Sequence, residues 1–62
     1  MDLQDVIGKI ISLRADKGWS QRDLAIRSGV SNSTISRIEK GDIREIRFSI
    51  LQKIAGALGY NL

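Results

Sequence analysis

The chain has 62 residues, no Cys and no His, and a formal charge of +3 from ten basic and seven acidic side chains. That length allows one small domain with a modest core. The absent thiols and imidazoles exclude cysteine nucleophiles, imidazole bases, disulfides and the usual zinc ligands. No apolar run approaches the roughly 20 residues of a membrane span, and the first residues are not a signal peptide.

Residues 1–20 balance Lys9, Arg14 and Lys17 against Asp2, Asp5 and Asp16, so the basic surplus lies from Arg22 onward. Gly18, Gly29, Gly41 and Gly59 each close a helical pattern, where helix C-terminal caps favour glycine. They divide the chain into four segments.

The first segment runs from about Leu3 to Lys17. Leu3, Val6, Ile7, Ile10 and Leu13 follow i, i+3, i+4, i+7 spacing, which predicts a helix with one buried face. Asp2 is its expected N-cap, and Asp5 suits the positive end of the helix dipole. Gly8 stands inside this helix and is read as a point of close approach by a neighbour. Ile11 falls off the stripe and is expected to be partly exposed.

The second segment runs from Gln21 to Ser28, with Ser20 and Asp23 spaced as a capping box. Trp19 before the cap and Leu24 in the helix are spaced as a hydrophobic staple, which gives Trp19 a packing role rather than a base-stacking one. Ala25 is small enough to let the next helix approach.

The third segment runs from Asn32 to Lys40 behind the N-cap Ser31. Val30, Ile35 and Ile38 face inward, while Asn32, Ser33, Ser36 and Arg37 fall on the other side. Short polar residues with one Arg, and no acid among them, leave base edges within reach and do not repel phosphate. Two short helices around Gly29-Val30-Ser31 are also how a second helix is held outward from its scaffold.

In the fourth segment Phe48, Leu51, Ile54, Ala55 and Leu58 form a helical stripe ending at Gly59. Its start is open: Asp42 and Glu45 have capping-box spacing, which would begin the helix near Ile43, or residues 42–46 form a loop. Ile43, Ile46 and Ile50 lie off the stripe and need cover from the fold or from a second subunit.

These residues together resemble the Cro and phage-repressor, or XRE-type, helix-turn-helix domain. The resemblance is carried by Ile10, Leu13 and Arg14, Trp19-Ser20-Gln21, Leu24-Ala25, Gly29-Val30-Ser31, Thr34-Ile35-Ser36, Ile38-Glu39, Gly41, Ile54-Ala55 and Ala57-Leu58-Gly59. It covers nearly the whole chain and implies an all-α, lambda-repressor-like bundle of four or five helices, with residues 1–62 as one domain. It further implies a sequence-specific regulator of transcription, a repressor, that binds a two-fold symmetric double-stranded DNA operator as a homodimer in the cytoplasm. No cofactor, metal or catalytic set is implied.

The matching positions assign base contacts to Asn32, Ser33, Ser36 and Arg37. They assign phosphate contacts to Gln21, Arg22, Ser31, Thr34, Lys40, Arg44 and Arg47. Arg14 and Glu39 match a structural ion pair between the first and third helices. The chain departs from the family pattern near Ile46, where a proline often opens the fourth helix. It reaches Leu62 where many relatives begin a fifth helix or a strand, as a truncated domain or a tail that pairs with a second subunit. Antitoxins with this domain also bind a partner protein, so a toxin or a further domain is the alternative partner. Ile26, Ile43, Ile46 and Tyr60 are the candidate surface for it.

Overall fold

Four helices follow one another in the computed structural model, which describes residues 2–61: α1 (Leu3–Asp16), α2 (Gln21–Ser28), α3 (Asn32–Glu39) and α4 (Phe48–Ala57). The architecture is all-α, as the periodicity predicts. No helix among the described residues is long and apolar enough to cross a membrane.

The first three helices begin where short polar side chains take up free backbone N–H groups. The Asp2 side chain accepts from the Asp5 N–H (2.9 Å), and Asp5 accepts from the Asp2 N–H in return. The same reciprocal pair joins Ser20 and Asp23 at the start of α2. The Ser20 backbone N–H, at 2.8 Å, is the main cause that holds the Asp23 carboxyl below its ordinary pKa. Helix α4 starts differently. Arg47 is its N-cap and provides no side-chain bond, and residues 42–47 before it are loop and turn. Asp42 and Glu45 form no capping box there.

One apolar cluster joins the four helices. Ile10 of α1, Leu24 of α2, Ile35 and Ile38 of α3 and Ile54 of α4 are fully buried at its centre. Helix α2 packs on both α3 and α4, and α1 packs on α3. Trp19 is half-buried against this core, at the corner between α1 and α2. Ile43, Ile46 and Ile50 are covered from within: each packs half-buried against the same cluster.

Three expectations about packing need correction. Phe48 lies in register with the buried stripe of α4 but is 60% exposed, because it is the first residue of the helix and overhangs the core. Leu3 is exposed at the corresponding end of α1 for the same reason. Gly8 is not a point of close approach. It is exposed, and a Cβ placed on it would meet nothing within 4 Å. Gly8→Ala is therefore expected to stabilise the protein by about 1 kcal/mol, the helix-propensity difference. In thermal circular dichroism this reads as a Tm higher by about 4–8 °C. An unchanged or lower Tm would show that the site is occupied in solution.

Candidate nucleic-acid interface

The presentation of α3 begins at Gly29, whose φ of +75° and ψ of 17° end α2 in the left-handed region. An L side chain there costs about 1–2 kcal/mol, so the turn selects glycine. Val30 then inserts into the core and Ser31 caps α3, accepting the Thr34 N–H at 3.2 Å. Buried Ile35 and Ile38 fasten one side of α3. On the opposite side Asn32, Ser33 and Arg37 are exposed and Ser36 is half-buried. The structure thus brings the four candidate base-contacting residues onto one outward face.

The candidate phosphate contacts are more dispersed. Ser31 and Thr34 are already coupled: the Ser31 hydroxyl donates to Thr34 Oγ1 at 2.8 Å and lies 3.3 Å from the Ser33 hydroxyl. The Thr34 hydroxyl keeps its own proton for a further partner. Arg22 is exposed on α2, beside an open groove of about 380 Å³ that it lines with Ala25, Ile26, Val30, Ser31 and Asn32. Lys40 is exposed at the C-cap of α3, and Arg44 and Arg47 are exposed on the connection to α4. Gln21, the first residue of α2, is half-buried, with its amide donating to Glu39 Oε1 at 3.0 Å.

That amide belongs to a network that ties α1, α2 and α3 together. Arg14 meets Glu39 through two parallel bonds, Nε to Oε2 at 2.7 Å and Nη2 to Oε1 at 2.8 Å. Its remaining Nη1 donates to the Trp19 carbonyl at 2.9 Å. The Glu39 side chain is 7% exposed and that of Arg14 18%. The hydrogen bond to Glu39 raises the Arg14 pKa further above its already high ordinary value. The candidate face of α3 therefore rests on a braced scaffold.

A helix-turn-helix family model matches residues 10–62. The chain belongs to the XRE-type helix-turn-helix family. A relative in Bacillus subtilis (strain 168), the HTH-type transcriptional regulator SlrR, is 41% identical over 58 residues. The match covers 92% of this chain but 38% of that relative. No solved structure matches significantly.

Two arrangements in this helix-turn-helix chain lie outside the sequence reading. Two cations lie over the Trp19 ring, Arg27 at 4.4 Å and Lys17 at 5.1 Å from its centroid. Asp42 sits between two arginines: Arg37 Nε is 3.5 Å from Oδ2, and Arg44 Nε donates to Oδ1 at 3.3 Å. The turn after α3 sets this up. Gly41 N–H donates to the Ile38 carbonyl and Asp42 N–H to the Arg37 carbonyl, both at 2.9 Å, the pair of bonds that defines a Schellman closure. Such a closure is signalled in sequence by Gly41 alone. The side chain two positions beyond the cap is then necessarily returned toward the last turn of the helix.

Proposed function

We propose that this chain binds double-stranded DNA sequence-specifically and regulates transcription as a repressor. One observation carries the reading: in a helix-turn-helix chain, Asn32, Ser33, Ser36 and Arg37 form an outward polar face on a helix whose other side is locked by Ile35 and Ile38. A major groove about 12 Å wide admits such a helix. Arg37 pairs with guanine O6 and N7, and Asn32 with adenine N6 and N7. Gln21, Arg22, Ser31, Thr34, Lys40, Arg44 and Arg47 hold phosphates and set the register.

Two copies act together. The described backbone is 26 Å in its longest dimension, shorter than the roughly 34 Å between successive major grooves on one side of a duplex. One copy therefore reads one half-site, and a homodimer reads a symmetric operator. The bound dimer represses by excluding polymerase.

Selection of bound duplexes from a random pool tests this directly. A two-fold symmetric consensus is expected, with half-sites one helical turn apart. Affinity for it should fall with added salt at a logarithmic slope of about 0.9 per phosphate contacted. Recovery of a pool no different from the input would overturn the proposal.

The partner-protein reading has narrower support. Ile43, Ile46 and Tyr60 are half-buried against the core, so they offer less surface than their assignment as exposed residues expects. Ile26 remains, 74% exposed at the rim of the α2–α3 groove. A protein that co-purifies stoichiometrically with the chain, and is lost on Ile26→Asp, would favour this reading.

A further inference from the structure

We propose that Asp42 is a positioning residue for base recognition: its carboxylate orients the Arg37 guanidinium so that the outer edge faces the duplex. The inference rests on the DNA-reading function proposed above and adds a residue to it.

Three observations carry it. First, Asp42 is held beside Arg37, because its backbone N–H is bonded to the Arg37 carbonyl in the closure of α3. Second, the contact is an ion pair through Arg37 Nε, the inner nitrogen of the guanidinium, at 3.5 Å and without a hydrogen bond, and Nη1 and Nη2 have no hydrogen-bond partner among the described residues either. Those two nitrogens form the outer fork that matches guanine O6 and N7. Third, the Arg37 side chain stays 45% exposed beside Asp42. It can therefore engage a base without leaving the carboxylate. The second oxygen of Asp42 is bonded to Arg44, whose side chain is 87% exposed. One acid thus holds the cation read as a base contact and one read as a phosphate contact.

An exposed ion pair of this kind adds little to stability. Its effect is to limit the rotamers of a long side chain before DNA arrives. Ordering such a side chain on binding costs about 0.5–1.5 kcal/mol, or about two- to tenfold in affinity. A preset Arg37 avoids part of that cost at the right base and gains nothing at a wrong one.

The experiment is a titration of wild type and Asp42→Asn on the selected duplex and on a scrambled duplex. The Asn variant keeps the backbone N–H and the side-chain shape while removing the charge. Loss of one negative charge beside phosphates should strengthen scrambled binding, whereas cognate binding loses the orientation of Arg37. The ratio of the two affinities is expected to fall by about two- to tenfold per half-site. In the free protein, the Nε–Hε signal of Arg37 should report greater motion in Asp42→Asn than in wild type.

An unchanged ratio, with both affinities rising or both falling together, would overturn the proposal, since it would leave only a charge or a folding effect. So would an Arg37 signal of equal order in the two proteins. In Arg37→Ala, adding Asp42→Asn should not lower the ratio further, and a further drop would show that Asp42 acts through another group. A wild type that fails to discriminate the two duplexes would overturn the DNA-reading function itself, while the Arg37 signal would still report on the Asp42 contact.

Discussion

Glu39→Ala is expected to remove a large fraction of the stability of this protein, about a third or more. Glu39 receives two bonds from Arg14 and one from Gln21. Truncation leaves a guanidinium, 18% exposed in its side chain, with the Trp19 carbonyl as its remaining bonded partner in the network. Arginine cannot relieve this by losing its proton, and its pKa here is raised rather than lowered. Breaking a fully buried pair from one side costs about 3–5 kcal/mol. The slight exposure of this pair points to the lower end, about 3 kcal/mol. A chain of this size has roughly 3–9 kcal/mol in total, at 0.05–0.15 kcal/mol per residue. The Tm should fall by about 12–24 °C in thermal circular dichroism, or the cooperative transition should disappear. The double variant Arg14→Met with Glu39→Leu should lose much less, because it leaves no charge unpaired. A single variant within about 1 kcal/mol of wild type would remove the network from the account of how α3 is held.

The ends of α1, α2 and α3 were legible because local chemistry specifies them. Asp2, Ser20 and Ser31 each bond a backbone N–H three residues on, an interaction that needs no tertiary partner. The inner faces of these helices were legible from periodicity for a related reason: a 3.6-residue repeat of Ile, Leu and Val has few alternatives to burial. Phe48, Leu3 and Gly8 show where that logic stops. Periodicity gives the side of a helix on which a residue stands, but not how far along the axis the neighbouring helix extends. Phe48 and Leu3 stand at helix ends, beyond their cover. Whether a neighbour approaches Gly8 depends on where α1 meets α3, which no local pattern encodes.

The polar side of α3 was readable for the same local reason as its core side. The contacts among candidate site residues were not. Gln21 and Glu39 lie 18 positions apart and Arg14 and Glu39 25 apart, so the fold decides their meeting. The resemblance implies the second pair but gives Gln21 a phosphate contact alone. Asp42 is the instructive case. Its spacing to Glu45 fitted a helix start, while Gly41 before it fitted a helix end. The two signals compete for one residue, and the closure at Gly41 prevails: its two backbone bonds satisfy carbonyls that α3 would otherwise leave open.

Arg37→Ala and Lys40→Ala separate base reading from attraction to phosphate. Both residues are exposed, both are cationic and they are three positions apart, so simple electrostatics treats them alike. Their positions differ. Arg37 stands on the outward face of α3 with Asn32 and Ser33, whereas Lys40 is the C-cap beyond its last turn. Loss of a paired contact to guanine costs about 1–3 kcal/mol of discrimination. For Arg37→Ala the ratio of selected to scrambled affinity should therefore fall by about 5- to 150-fold per half-site. For Lys40→Ala both affinities should fall together and the salt slope should drop by about one per copy. Arg37→Lys sharpens the comparison. It keeps the charge but lacks the planar fork, so scrambled binding should hold while the ratio falls nearly as far as with Ala. If Arg37→Lys preserved the ratio, a point charge would suffice at this position. Arg37 would then be one more phosphate contact, and selectivity would have to come from Asn32, Ser33 and Ser36.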